Sequence, residues 1–242
     1  MHRIEPAIVV ALMAHGENGV VARFLSAEHG LVAAYVHGGR GRRLRGVLAL
    51  GNLVALDITP RAAGQLASAG VHALSTNMAM MHGAAALALI DYVALLAAST
   101  LPEGEAQPRL YPLFEALFGA AGAGADALAS GAALVRLELA LLAGLGLGLD
   151  LSCCVATGSV EDLAFVSPKS RQAVSRAAGE PWAARLLPLP AFLRDGGVAT
   201  PEQLADGLKL SGHFLARELF ASHPAQLRLQ AARQQLVGRL IG

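Results

Sequence analysis

The densest concentration of chemically active side chains in this sequence is a short run of arginines. Four guanidiniums lie within six residues, at Arg40, Arg42, Arg43 and Arg45, and glycines precede, interrupt and follow them. Guanidiniums this close together repel one another unless solvent or a polyanion compensates their charge. Each of them can pair bidentately with a phosphate and can also stack on a base. The run, here called the arginine segment (residues 40–45), therefore predicts a nucleic-acid-binding site, and a merely solvated basic loop is the alternative.

Positive charge is concentrated in the first third of the chain. The net charge of the whole chain is only +1, but residues 1–80 carry seven arginines against four acids. Arg23 lies in this region and is expected to point outward if Val20, Ala22 and Phe24 face a core, where it either extends the basic patch or is solvated. Phe24 and Tyr35 are the only aromatic rings of Phe, Tyr or Trp type before residue 77. DNA binding is therefore expected to be mainly electrostatic, through Arg23 and the arginine segment.

The sequence contains none of the common enzyme signatures. A phosphate-binding loop, a Gly-x-Ser-x-Gly nucleophile elbow and a His-Glu-x-x-His zinc motif are all absent from it. Cys154 and His213 could form a thiol–imidazole pair, which leaves a cysteine hydrolase as an alternative, but a buried structural cysteine is the favoured interpretation. We therefore expect no catalytic residues and no enzymatic activity.

The first 76 residues are predicted to form a small β-barrel. Turn residues recur about every ten positions, including the hairpin-like pair Asn18-Gly19. The predicted strands span residues 7–14, 20–25, 31–37, 47–59 and 65–74, with a Gly/Arg loop at 38–46. Five short strands favour a barrel of the OB type. Propensity alone does not separate this barrel from an SH3-like one.

From residue 77 onward the pattern becomes helical. The predicted helices span residues 78–98, 108–121 and 126–145, then run from Thr200-Pro201 to about Ser222, with a last helix that ends at Leu240. Thr200 and Gln203 have the spacing of a capping box. On the last helix Arg228, Arg233 and Arg239 do not share one face, so their charges are expected to be solvated.

Composition also bears on the compartment. The longest apolar stretches, 84–98 and 132–151, are interrupted by charged residues and do not provide the roughly 18 uncharged residues of a membrane-spanning helix. They indicate buried helices. The adjacent Cys153 and Cys154 are not suited to a structural disulfide with each other, which favours a reducing compartment. We expect a cytoplasmic protein.

Several short motifs occur in a defined order along the chain. His15-Gly16-Glu17 is followed by motifs at 24–31, 36–40 and 48–53. In the second half Arg136-Leu137-Glu138 precedes a Leu/Gly-rich segment at 145–151, and further motifs follow at 154–158 and 165–170. No single motif is decisive, but their order and spacing resemble those of the RecO family of recombination mediators across nearly the entire chain.

The resemblance implies an α+β multidomain protein without enzymatic activity. It places an OB-fold DNA-binding domain at 1–76 and an all-α domain at 77–242, with a zinc-finger-like hairpin at about 150–180. It implies a mediator of recombinational DNA repair in the RecF pathway, which binds single- and double-stranded DNA and anneals strands. The implied partners are RecR, the single-strand-binding protein and, indirectly, RecA, with a nucleoid-associated location. A non-enzymatic interaction scaffold with a solvated basic loop is the alternative function.

The hairpin departs from the pattern that the resemblance implies. Many RecO-like proteins hold zinc there with two Cys-x-x-Cys pairs. In this chain Cys154 matches the first ligand, Thr157 replaces the second, and the second pair falls near Ser175 and Ala178. One thiolate cannot hold a structural zinc ion. We therefore expect no metal and no other cofactor, and a hairpin held by packing, with Pro181 and Trp182 as cover.

The missing ligands generate the first prediction. Protein purified from cells and washed with a chelator should contain far less than one zinc per chain, because a structural zinc site needs about four ligands. Elemental analysis of the purified protein measures this directly. About one zinc per chain after washing would mean that other side chains complete the site.

Overall fold

The computed structural model describes residues 2–62, 64–221 and 223–242. The chain divides into two compact units, Met1–Gly124 and Ala125–Gly242. The domain boundary predicted between residues 76 and 77 stays a prediction. The helix end predicted near Ser222 lies outside the described residues.

The first unit begins with a closed five-stranded barrel, in which the strands follow the order β1-β2-β3-β5-β4. The strands are β1 (His2–His15), β2 (Gly19–Ser26), β3 (Gly30–Val36), β4 (Leu53–Thr59) and β5 (Ser68–Ser75). All neighbours are antiparallel except β3 and β5, which meet in a short parallel pairing. The predicted OB-type barrel is confirmed.

The long first strand makes the closure possible. β1 pairs with both β2 and β4, and its register shifts between Val9 and Ala11 on one side and between Ile4 and Ala7 on the other. Such irregularities bend a strand strongly enough for it to belong to both edges of a closing sheet. Inward-pointing residues fill the interior, and Phe24 on β2 is fully buried there.

The segment between β3 and β4 differs from the prediction. The Gly/Arg loop contains a one-turn helix, α1 (Arg42–Arg45), and the predicted strand 47–59 begins only at Leu53. Leu44 and Leu48 both lie in the barrel core, and the Leu48 backbone N donates a 2.8 Å hydrogen bond to the Leu44 carbonyl. A separation of four residues brings two side chains to one face of a helical turn but not of a strand. Their joint burial therefore favours the helical turn.

Two longer helices complete the first unit, α2 (Ala84–Thr100) and α3 (Tyr111–Ala123). α2 packs against β1 and α3. Asn77 ties this part to the barrel, because its backbone N donates to the Asn52 side chain at 2.8 Å and its own amide donates to the Phe118 carbonyl at 2.7 Å. The helices therefore belong to the same compact unit as the barrel.

The second unit is mainly helical. Its helices are α4 (Ala127–Gly144), α5 (Arg176–Gly179), α6 (Ala191–Arg194), α7 (Pro201–Phe214), which continues as a π-helix over Leu215–Phe220, and α8 (Gln226–Leu240). A small sheet has the order β7-β6-β8, formed by β6 (Leu163–Val166), β7 (Ala173–Ser175) and β8 (Leu187–Pro188). The predicted capping box at the start of α7 is confirmed by reciprocal hydrogen bonds between Thr200 and Gln203.

A buried ion pair joins three helices of this unit. Glu138 on α4 is fully buried, and Arg233 on α8 donates to both of its carboxylate oxygens, at 2.7 and 2.8 Å. Ser211 on α7 donates to the same carboxylate at 2.6 Å. A buried carboxylate left without partners would be strongly destabilising, so all three residues depend on one another. The expectation that the last-helix arginines are solvated is wrong for Arg233, which is only 13% exposed.

The helix α4 is the one element among the described residues that is long and apolar enough, by length and composition, to cross a membrane. Half of its most apolar window is buried within the protein, and this helix carries the Glu138 carboxylate that Arg233 binds. A helix at the centre of a protein core has the same composition. Its apolar character is accounted for by packing.

The region around Cys154 forms a tight knuckle. The Cys154 backbone N donates to the Ser159 carbonyl at 2.7 Å, and the Gly158 backbone N donates to the Cys154 carbonyl at 2.8 Å. The thiol is 1% exposed. Burial raises its pKa, but hydrogen bonds from Ser175, Thr157 and the Ala156 backbone outweigh that effect and lower the pKa to about 6.

Two of these hydrogen-bond partners, Thr157 and Ser175, stand where the family resemblance implies metal ligands. Among residues 2–62, 64–221 and 223–242 no group of three or more His, Cys, Asp or Glu side chains could hold a metal ion. The zinc-free and zinc-finger-like character of this hairpin stays a prediction. Trp182 is 58% exposed, and its role as cover for the hairpin stays a prediction.

The hydrogen-bonded thiol generates the second prediction. Replacing Cys154 with Ala should lower the free energy of unfolding by roughly 1–3 kcal/mol, because a fully buried group with several partners is lost. The folded pKa of about 6 lies below the ordinary value of 9.0. The thiolate's stabilisation is therefore complete only above the unfolded pKa and is lost as the pH falls through about 6. Chemical denaturation of both proteins across this pH range measures the difference.

The same measurement on Cys153→Ala controls for loss of a thiol at the neighbouring, half-buried position. The stability gap between the wild type and Cys154→Ala should shrink on going from about pH 9 to below about pH 6. A stability difference that stays constant across this pH range would contradict a hydrogen-bonded thiolate. Cys154 would then stabilise the fold only by packing.

Candidate nucleic-acid interface

The arginine segment lies at one end of the barrel with its guanidiniums in solvent. Arg40, Arg42, Arg43 and Arg45 are all exposed, whereas Leu44 between them is 6% exposed and belongs to the barrel core. Burial of this one leucine orients the short helix, so that the charged positions face outward. The structure thus brings together the four arginines that the sequence predicts to act together.

Arg40 connects the arginine segment to the turn between β1 and β2. Its backbone N donates to the Asn18 carbonyl at 3.2 Å, and its guanidinium donates to the Glu17 carbonyl at 3.0 Å. These bonds use one guanidinium nitrogen and leave the rest of the fork available for a ligand. The arginine segment is therefore held against a neighbouring turn and is not an independent loop.

Two glycines of this region have structural roles that the sequence did not indicate. Gly38 has φ of +64°, a left-handed conformation that favours glycine, as the chain leaves β3. Gly39 is buried, and a Cβ there would lie 2.9 Å from Val20 and 3.1 Å from Leu48. These glycines let the segment pack against the barrel, whereas the sequence suggested a backbone that adapts to phosphates.

Arg23 lies apart from the arginine segment. It points outward from β2 as expected, but its guanidinium forms a salt bridge with Glu103 and donates to the Ala98 carbonyl. Val20 is the residue of β2 that lies next to Gly39, at the start of the arginine segment. Arg23 is three residues farther along β2, which corresponds to roughly 10 Å at the rise of a strand. A DNA contact by Arg23 stays a prediction. For that contact, Arg23 would have to bind a phosphate and Glu103 together, or its salt bridge with Glu103 would have to break.

A second cluster, which the sequence analysis missed, lies on the outer face of the barrel. The Tyr35 ring contacts His15 and His37 edge-on, with ring centroids 5.6 and 4.5 Å away. The Arg61 guanidinium lies over the Tyr35 ring, 5.6 Å from its centroid, and its nitrogen is 2.9 Å from the His37 ring. With Val21, Gln65 and Leu66 these residues line a groove of about 510 Å³, here called the Tyr35 groove.

Strand register explains how the Tyr35 groove forms. Tyr35 pairs with Val21 across β2 and β3, and His15 pairs with Gly19 across β1 and β2, so their side chains share the outer face. The tyrosine ring lies directly on the backbone at Gly19, where a Cβ would be 2.1 Å from the hydroxyl oxygen. A side chain at position 19 would displace the ring. The period-two spacing of Tyr35 and His37 was the available signal, but nothing local marks Arg61.

Together these features supply what a single-stranded nucleic acid requires. Cations for phosphates lie in the arginine segment, and an aromatic ring carrying a cation lies in the Tyr35 groove. The turn that ends β1 separates the two and is bonded to Arg40. In OB folds this turn, the β4–β5 loop and the adjacent strand faces are the usual oligonucleotide surface. The arrangement suits binding of an extended polyanion.

Comparisons with known proteins place the chain in a family. Residues 1–72 match the family model "Recombination protein O N terminal", and residues 81–227 match "Recombination protein O C terminal". The chain is 43% identical over 238 residues to the DNA repair protein RecO of Rhodospirillum rubrum, covering 96% of this chain and 94% of that protein. It is 42% identical to the RecO proteins of Phenylobacterium zucineum over 239 residues and Acidiphilium cryptum over 248 residues. Each of these two alignments covers 98% of this chain, and they cover 96% and 94% of the respective relatives. The chain belongs to the RecO family of DNA repair proteins.

Proposed function

We propose that this protein is a non-enzymatic recombination mediator that binds single-stranded DNA at one end of its barrel. The observation that carries the proposal is the burial of Leu44, which leaves four arginines in solvent beside the Tyr35 groove. Phosphates contact these arginines and Arg61, and a base stacks on the Tyr35 ring. Binding is largely independent of base sequence, because phosphate contacts position a strand but do not specify it.

The proposal extends to annealing and to partner proteins. A mediator of the RecF pathway would bind single- and double-stranded DNA, anneal complementary strands, contact RecR and the single-strand-binding protein, and help to load RecA. The support is the motif order along the whole chain and the relatives described as DNA repair proteins. We propose a cytoplasmic, nucleoid-associated location on the same basis.

The absence of catalysis is also part of the proposal. The side chains of the Tyr35 groove and the arginine segment are suited to binding anions and rings, not to nucleophilic attack. Cys154 is buried, and its thiol is engaged by Ser175 and Thr157. The alternative scaffold function differs in one respect, since it leaves the arginine segment solvated in the presence of DNA.

The third prediction concerns the arginine segment. Changing its four arginines to alanine should flatten the slope of log K against log[salt] on oligo-dT by roughly two to three units, because each phosphate contact contributes about −0.7. Affinity at low salt should fall by about two orders of magnitude, while folding changes little because the four side chains are exposed. Fluorescence anisotropy at several salt concentrations measures both quantities.

The matched control replaces the same four arginines with lysine, which keeps the charge but loses the planar fork. This variant should retain most of the salt slope. If the alanine variant has unchanged affinity and an unchanged slope, the arginine segment is solvated and the scaffold function is favoured.

The fourth prediction separates stacking from charge in the Tyr35 groove. Tyr35→Leu should weaken oligo-dT binding by about 1 kcal/mol or more, the low end for loss of one stacked base, without changing the salt slope. Arg61→Ala should instead reduce the slope by about 0.7 units, because it removes one phosphate contact. The same anisotropy titration distinguishes them. A reduced slope in Tyr35→Leu would show that the tyrosine acts by holding Arg61, not by stacking.

A further inference from the structure

The hairpin formed by β1 and β2 has two faces with different chemistry. The outer face carries His15 and packs against Tyr35, as described above. The opposite face carries Leu12, which pairs with the core residue Ala22, and Val20. Because side chains alternate along a strand, Leu12 and Val20 lie on the inner side of the hairpin, toward the mouth of the barrel.

A depression of about 370 Å³ lies at this mouth and is here called the mouth pocket. Its lining residues are Leu12, Val20, Gly39, Arg40, Arg45 and Leu48. The floor is aliphatic, and both polar side chains are arginines of the arginine segment. Gly39 lets the arginine segment pack directly on this floor, because a Cβ there would press against Val20 and Leu48 at 2.9 and 3.1 Å. Leu12 is 39% exposed, a large apolar side chain facing a basic rim.

We propose that the mouth pocket binds one unstacked nucleobase of a single strand, while Arg40 and Arg45 hold the phosphates on either side of it. The inference rests on the proposed function and adds a base-binding subsite on the opposite face of the hairpin from the Tyr35 groove. It makes the barrel selective for single strands, because the bases of a duplex are stacked and paired and cannot enter.

The size and charge of the mouth pocket support a base. The volume lies at the low end of the range for small-molecule pockets, about 300–1,000 Å³, which suits a single ring system. An apolar floor accepts the face of a base without hydrogen-bond readout, and a guanidinium can stack on its other face. The pocket therefore binds bases without strong sequence preference.

An acidic peptide with an apolar side chain would share part of this chemistry. The observations favour nucleic acid because the two rim arginines belong to a cluster of four exposed cations. Several neighbouring cations match an anion that carries a charge on each of its units, as phosphates do along a strand. A peptide that anchors one side chain in the pocket would leave part of this cluster unused.

The test compares two exposed leucines of the barrel, Leu12 on β1 and Leu74 on β5. Leu12→Asn makes the mouth pocket polar, and Leu74→Asn, at a 45% exposed position outside both pockets, is its matched control. Three probes of equal length are titrated by anisotropy: oligo-dT, a fully abasic single strand and a DNA duplex. Leu12→Asn should weaken oligo-dT binding by about fivefold to tenfold, the low end for one base contact, and leave the other two affinities unchanged. Leu74→Asn should bind all three as the wild type does.

Leu12→Met keeps the apolar floor and should restore wild-type binding, which separates the pocket from a general effect of substitution at this position. An equal loss on oligo-dT and the abasic strand would overturn the proposal, since the contact would be to the backbone. Unchanged oligo-dT binding would overturn it too, and weaker binding of a fluorescent acidic, apolar peptide in that case would identify a peptide site. A wild-type protein that binds none of the three probes would instead contradict the proposed function itself.

Discussion

The burial of Leu44 in the barrel mouth is the constraint on which the rest of the interface depends. Leu44 is the apolar residue among the arginines, and the core accepts it together with Leu48, one helical turn later. Once both are buried, the intervening backbone is helical and the arginines face solvent. Four like charges would otherwise favour an extended, disordered segment, so hydrophobic burial of one side chain offsets their repulsion. The same burial brings Arg40 and Arg45 to the rim of the mouth pocket.

Closure of the barrel determines how the two faces of the first hairpin are used. β1 pairs with β2 over residues 7–15 but with β4 only over residues 2–8, so its end near Leu12 and His15 extends beyond β4, and the turn that follows is bonded to Arg40. Alternation then sends successive side chains to opposite sides, one aromatic and basic, the other aliphatic. One strand pair therefore supplies two surfaces of different chemistry, while Arg23, farther along β2, is engaged by Glu103.

The parts of this fold that could be predicted from the sequence are those encoded by local patterns. Turn residues marked the strands, and the Thr200–Gln203 spacing marked the start of α7, because each depends on residues within a few positions. Arg233 and Arg23 were misjudged or left open because their partners, Glu138 and Glu103, are 95 and 80 residues away. The Tyr35 groove was missed for the same reason, since residues from β1, β2, the end of β3 and the β4–β5 loop contribute to it. The one-turn helix α1 is too short to produce a period.

Phosphate contacts and base contacts contribute differently to DNA-binding affinity as the salt concentration rises. Each phosphate contact contributes about −0.7 to the slope of log K against log[salt]. Four such contacts imply that the affinity due to the arginine segment falls roughly 50-fold between about 50 and 200 mM salt. A base contact, worth about 1–3 kcal/mol, does not release counterions and keeps its contribution over the same range. At low salt the arginines therefore dominate, and any polyanion, duplex included, should bind. At higher salt the Tyr35 groove and the mouth pocket carry a growing share of the affinity, so discrimination between single and double strands increases as total affinity falls.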